Sequence, residues 1–149
     1  MTNGKRLYKD FAVGEVFRSP TRTITEADVM LYAGLSGDWN EIHTSRTFAE
    51  DTALGRRISH GLLVLSIANG LSARVIQADT LLLGFENLKF VNPTFFGDTI
   101  YLESTLEDLR LTKNPQKGIM TWKYEIFNQH DQLLIIGTVK RMIDNTSLD

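Results

Sequence analysis

Apolar and polar residues alternate through much of the second half of the chain. Ile100, Leu102, Ser104 and Leu106 interleave with Tyr101, Glu103, Thr105 and Glu107, and Met120, Trp122, Tyr124 and Ile126 interleave with Thr121, Lys123 and Glu125. A period of two predicts strands with one face turned to a core. On this pattern and on strand-forming composition, strands are expected over 81–91, 99–111, 118–127 and 133–143. The clusters at 114–118 and 128–132 read as hairpin turns that make consecutive strands antiparallel neighbours. A short strand near 16–19 is expected to complete the sheet.

The first half follows a different rhythm. Thr25 and Asp28 have capping-box spacing and predict a helix over 25–34, ended by Gly34 and Gly37. A loop is expected over 38–43, then a short helix within 44–51. From Gly61 to Gln77 apolar residues occupy nearly the whole helical circumference, so a helix there needs burial on most sides. Ser66, Asn69, Gly70, Ser72 and Arg74 interrupt it, and it is too short to cross a membrane. A sheet wrapped around this helix satisfies both demands. The expected fold class is therefore α+β, with a curved antiparallel sheet around a long central helix in a single domain over 1–149.

Composition narrows the function classes. The 149 residues are 42% hydrophobic and 23% charged, with a formal net charge of −2. That balance suits a globular chain and argues against disorder. The 16 basic residues are scattered, without a stripe for a phosphate backbone, so nucleic acid is not an expected partner. There is no cysteine, which excludes disulfides, thiolate metal sites and a cysteine nucleophile. No leader-like or membrane-length apolar segment is read, and a cytoplasmic location without membrane association is the expectation. The three histidines are far apart in sequence and no His-Glu-x-x-His run occurs, so no metal is expected.

Candidate chemistry concentrates at Asp38-Trp39-Asn40-Glu41-Ile42-His43 and at Ser59-His60-Gly61, which opens the long helix. A carboxylate and an imidazole can share proton traffic near neutrality. A free amide at a helix N-terminus stabilises an oxygen that gains negative charge. Together these parts point to chemistry on a carbonyl. Taken singly each residue has a plainer reading. Asp38 and Asn40 suit an Asx-type turn, His43 and His60 suit histidines tied to backbone carbonyls, and Gly61 suits a helix start. His60 is read as structural, and His130 as a solvated turn residue.

At these residues the chain resembles the MaoC-like, (R)-specific enoyl-CoA hydratase family. The stretch from Tyr32 through Gly37-Asp38-Trp39-Asn40-Glu41-Ile42-His43 is similar to the family's Gly-Asp-x-Asn-Pro-aliphatic-His signature, with Glu41 at the proline position. Ser59-His60-Gly61-Leu62-Leu63 looks like its helix start, and 87–93 with 96–100 look like its sheet segments. The resemblance implies a hot dog fold. It implies that Asp38 and His43 grip one water, that the Gly61 N–H receives the thioester oxygen, and that Asn40 fixes the loop and the water. It also implies that coenzyme A enters only as part of an acyl-CoA substrate, with no separate cofactor, and that subunits form a homodimer or larger assembly. Many family members carry a small hydroxyl residue on the central helix where this chain has Asn69.

The reaction implied is reversible hydration of a trans-2-enoyl-CoA to an (R)-3-hydroxyacyl-CoA. The alternatives are dehydration of a branched or dicarboxylic hydroxyacyl-CoA, whose extra carboxylate basic pocket residues would meet, a hot dog thioesterase, which generally lacks the Asp-x-Asn-x-x-His run, and an acyl-CoA-binding module without turnover. Arg56, Arg57, Arg74 and Lys89 are candidates for the coenzyme A phosphates, none distinguished from ordinary surface charge. Glu41 is expected to relax its loop where proline would stiffen it, and to raise the His43 pKa by charge proximity.

Overall fold

A computed structural model describes residues 5–145 of the chain. Its strands are β1 (Val16–Arg18), β2 (Arg22–Thr23), β3 (Thr80–Phe90), β4 (Thr99–Leu111), β5 (Lys117–Phe127) and β6 (Leu133–Asp144). The helices are α1 (Glu26–Ser36), α2 (Glu41–Thr44), α3 (Arg46–Glu50) and α4 (Gly61–Ile76). The sheet runs in the order β1-β4-β5-β6-β3 with antiparallel neighbours, and β2 adds to β4.

Alternation makes the core. β5 buries Gly118, Met120, Trp122, Tyr124 and Ile126 and leaves the residues between them half-buried. β4 and β6 contribute Ile100, Leu102, Leu106, Leu134, Val139 and Ile143, and α4 lays Val64, Leu65, Ala68 and Ile76 against them. Trp122 is fully buried, with Phe11 and Phe17 meeting its ring edge-on at 6.2 and 5.5 Å. Burying an aromatic of this size removes roughly 150–250 Å² from water. At about 25 cal/mol per Å² that contributes about 4–6 kcal/mol.

The expected strands agree with the observed ones to within a residue or so at each end. Three local expectations need correction. First, α1 continues through Gly34 to Ser36, because Gly37 at φ 78° provides the left-handed cap and donates to the Ala33 carbonyl at 2.9 Å. Second, 38–43 is not all loop. Asn40 Oδ1 accepts from the Ile42 amide at 3.1 Å and starts the single turn α2, which carries His43. Asparagine is a preferred N-cap, and the next position is where proline and acidic residues both suit a helix. Glu41 therefore begins a helical turn and does not relax a loop.

Third, α4 is not sheathed on most sides. Leu62 is 55% exposed, and Ser66, Gly70, Ala73 and Arg74 continue an exposed face. The curved sheet covers only part of the circumference; Ser66, Gly70 and Arg74 fall where it does not reach, while Ser72 is buried. No helix among the described residues is long and apolar enough to cross a membrane.

Candidate active site

The site is assembled where the start of α4 meets the 38–43 segment. Asp38 follows α1 and accepts from the Asn40 amide through Oδ1 at 3.3 Å, an Asx turn. Ser36 Oγ accepts from the Asp38 amide at 3.2 Å, so the stretch is held by side chains folding back on local backbone. α2 then lifts His43 over the loop preceding α4, where its Nδ1 lies 2.8 Å from the Ile58 carbonyl. A carbonyl only accepts, so Nδ1 carries the proton and Nε2 of the neutral ring offers a lone pair.

His60 is the residue that the sequence reading placed outside the mechanism, and it proves central to the geometry. It is buried, its ring lies against that of His43 with centroids 3.8 Å apart and planes tilted by 30°, and the Tyr32 ring centroid lies 4.9 Å away. Its Nε2 donates to the Asp38 backbone carbonyl at 2.9 Å, while Nδ1 is buried without a partner. His60 is thus tied to a backbone carbonyl, as expected, and clamps the Asp38 segment against the imidazole of His43. Asp38, His43 and His60 present ligand-type atoms within 4.8 Å of one another. A carboxylate with two imidazoles is also a possible cation ligand set. However, the His60 nitrogen nearest Asp38 holds a proton in its bond to the carbonyl and has no lone pair to give.

The electrostatics favour a base. Burial lowers the pKa of His43 from its ordinary value, helped by the neighbouring His60, while the Ile58 carbonyl and the Asp38 charge oppose the shift. Glu41 is not among the groups that move it, so the expected upward shift from Glu41 is overturned: burial dominates, and the nearby carboxylate is that of Asp38.

A cavity of about 400 Å³ opens beside this cluster, lined by His43, Ser59, Gly61, Leu62, Phe90 and Ile135 among others. Gly61 is the first residue of α4, and His60 makes no side-chain cap over the helix end. The first amides of a helix have no intrahelical acceptor, so the Gly61 N–H is available at the cavity wall. Glycine is needed here for space as well: a Cβ would lie 2.6 Å from the ring of Phe90. Asp38 does not line the cavity. Its side chain is half exposed, with Oδ2 3.9 Å from His60 Nε2.

Residues 10–125 match the family model described as a MaoC like domain. The chain belongs to the MaoC-like family. This MaoC-like chain is 33% identical over 111 residues to an (R)-specific enoyl-CoA hydratase of Aeromonas caviae, covering 74% of this chain and 80% of that protein. The structure of an A. caviae (R)-hydratase superposes with a TM-score of 0.77 at 30% identity, covering 89% of this chain and 97% of the other. Protein MaoC of Klebsiella aerogenes is 34% identical over 105 residues, 68% of this chain, but the match spans only 30% of that protein's length. A Mycobacterium tuberculosis protein described as a double hot dog fold superposes with a TM-score of 0.86 at 20% identity, over 98% of this chain and 46% of its own. The fold is the hot dog fold, with α4 as its central helix. At family level the MaoC-like chain falls among the hydratases and dehydratases.

The arginines once open as phosphate ligands now divide. Arg57 is mostly buried, pairs with Glu26 at 2.6 Å and lies over Phe96, so it braces α1 to the loop before α4. Arg56 stacks on Phe95 at 3.8 Å. Arg74 and Lys89 stay exposed on α4 and β3.

Proposed function

We propose that this chain hydrates trans-2-enoyl-CoA thioesters to (R)-3-hydroxyacyl-CoA and catalyses the reverse dehydration. The single observation that carries this reading is that His43, with Nδ1 spent on the Ile58 carbonyl and Nε2 left free, shares one cavity with Gly61 at the start of α4, with the Asp38 carboxylate close to the imidazole. In the forward direction Asp38 and His43 hold one water. His43 Nε2 takes a proton as the water oxygen bonds to C3, the double bond shifts, and negative charge gathers on the thioester oxygen. The Gly61 N–H and the positive end of α4 stabilise that enolate oxygen. The enolate then collapses, C2 takes a proton from the Asp38–His43 pair, and one water has been added with none of its atoms lost. Asn40 acts at one remove by capping the turn that aims His43.

The chemistry needs no metal or separate cofactor; coenzyme A arrives as the thioester. The assignment of (R) stereochemistry rests on the family resemblance. We also propose that two copies pair. β3 is an edge strand of the sheet, and Leu81, Leu82 and Leu83 on it are 64, 40 and 44% exposed, an apolar edge unusual for an isolated chain. Light scattering at the mass of one chain would remove the pairing.

The test of activity follows enoyl-thioester absorbance with crotonyl-CoA and octenoyl-CoA while free thiol is monitored. Absorbance loss without thiol release, abolished by Asp38→Asn and by His43→Ala and untouched by a chelator, is the expected result. Thiol release would make the chain a thioesterase, and binding without absorbance loss would make it a non-catalytic module.

A further inference from the structure

Arg141 is a buried charge that hydration as described leaves unused. β6 turns Val139, Arg141 and Ile143 to its inner face, and Arg141 is only 7% exposed. Its guanidinium donates to Thr80 Oγ1 at 3.0 Å, to the Tyr124 hydroxyl oxygen at 3.3 Å, to Ser72 Oγ at 3.5 Å and to Asn69 Oδ1. Every one of these partners is neutral. No carboxylate pairs with Arg141 among the described residues, and its Nε is buried without a partner. The adjacent Lys140 shows the contrast, facing outward to Glu86 at 2.7 Å.

A guanidinium keeps its proton in a protein, so the charge cannot be relieved by titration. Enclosing a cation without a counter-charge is costly unless an anion completes it. The surrounding hydroxyls are locked as acceptors toward the arginine, because Tyr124 donates to Ser72 at 3.0 Å and Ser72 donates to the Asn69 carbonyl at 2.7 Å. What the cage holds in reserve is N–H, in the fork geometry that suits a carboxylate.

The location connects this charge to the proposed reaction. Gly61, Leu65, Ala68 and Ser72 recur at spacings of four, three and four and share one face of α4. At 1.5 Å per residue Asn69 lies about 12 Å and Ser72 about 16 Å beyond Gly61 along the helix. Between the two polar ends this face carries Leu65 and Ala68, both apolar and buried in the core, and the cavity at Gly61 ends before them, so an acyl chain reaches Arg141 by displacing that packing. We infer that Arg141, with Asn69, Ser72 and Tyr124 around it, reads a carboxylate at the far end of the acyl chain, so that the preferred substrates are medium-length ω-carboxy enoyl thioesters. This rests on the hydratase reading of the same site. A four-carbon diacid whose thioester oxygen sits at Gly61 would stop short of the guanidinium.

The experiment compares the intact protein on trans-2-octenoyl-CoA and on the same-length diacid, trans-2-octenedioyl-CoA, by loss of enoyl-thioester absorbance. The wild type is expected to favour the diacid by roughly 10- to 100-fold in kcat/KM, carried mainly by KM, as expected for hydrogen bonds to a charged group. Arg141→Met should invert that preference by weakening the diacid and improving the monoacid, with Arg141→Lys between them. The wild-type comparison stands on its own should a variant fold poorly. A wild type that hydrates the monoacid equally well or better overturns the subsite and leaves the hydratase reading intact. So does a diacid preference that survives in folded Arg141→Met, or a stronger preference for fumaryl-CoA. Hydration of neither octenoyl thioester overturns the hydratase reading and this inference with it.

Discussion

The sheet and the 36–60 segment are held by different forces. In β4, β5 and β6 the inner residues, Ser104 and Arg141 apart, are mainly apolar and almost wholly buried, and removal from water is what fixes them. In the segment that carries Asp38 and His43 most side chains are exposed, and short polar groups closing on nearby backbone fix the path. Ser36, Asp38, Asn40 and Ser45 each accept from an amide two or three residues ahead. Stability is concentrated in the first region and positioning in the second, so the two should be separable by mutation.

The sharpest separation pairs His43→Ala with Trp122→Ala. Removing the imidazole should lower kcat by roughly 10²- to 10⁴-fold, the usual contribution of a positioned acid–base group, with little change in melting temperature. Truncating Trp122, 0% exposed in the core, should cost about 3–5 kcal/mol of stability by leaving a cavity. Activity at low temperature, measured on the fraction that stays folded, should change far less. Urea melts and initial rates on both variants check this. If His43→Ala unfolds the chain, or if folded Trp122→Ala is as inactive as His43→Ala, the division fails.

Asn40→Ala probes the boundary between the two regions. Losing the N-cap of α2 should cost about 1 kcal/mol. Because that turn aims His43, the rate should fall by more than this small destabilisation explains. Asn40→Asp preserves the cap and should preserve the stability. Equal behaviour of the alanine and aspartate variants in rate and in melting would show that the cap does not position the base.

These contrasts also explain what could be read from the residues alone. Period-two alternation announced β4, β5 and β6 because hydrophobic burial leaves its mark on every second residue. Asp38, Asn40, His43 and Gly61 were legible as a group; the structure sets His43 and Gly61 on one cavity, Asp38 near His43, and Asn40 at the cap of α2. α2 was missed because it is four residues long and depends on one side-chain hydrogen bond, which the same asparagine could equally have spent on a turn. His60 looked incidental because His43, whose ring it lies against, is distant along the chain. Arg141 belongs to no motif, although its parity with Val139 and Ile143 points it inward. Tyr8 and Phe11 gave no periodic signal, yet Phe11 is in the core and the Tyr8 ring lies where a Cβ on residue 118 would be, which reserves that position for Gly118.

A pH series refines the electrostatic side of the comparison. Burial holds the His43 pKa below its ordinary value of about 6.5, so the neutral base persists into mildly acidic solution. The folded chain binds that proton less readily than the unfolded chain. The His43 contribution to stability is therefore fully present above the unfolded pKa and is lost as pH falls through the depressed folded one. The acid limb of kcat/KM should lie below pH 6.5 or so and should not move in Glu41→Gln. An acid limb above that value, or one displaced by the Glu41 change, would mean that charge outweighs burial at this imidazole.

The smallest expected effect is a gain. Glu41 occupies the first position of α2, its amide donates no hydrogen bond within the described residues, and Asn40 before it has φ −52° and ψ 133°. Proline fits a first helical position, and that backbone at the preceding residue is the extended conformation proline requires. Glu41→Pro should therefore stabilise the chain by about 0.4–1 kcal/mol, chiefly by restricting the unfolded state. The free energy would come from the unfolded ensemble, with His43 left where it is, so kcat/KM should be unchanged while the urea midpoint rises. A falling midpoint would mean that the Glu41 carboxylate at the start of α2 contributes more than the entropy gained. A raised midpoint with a lost rate would mean instead that the segment carrying His43 must flex to work.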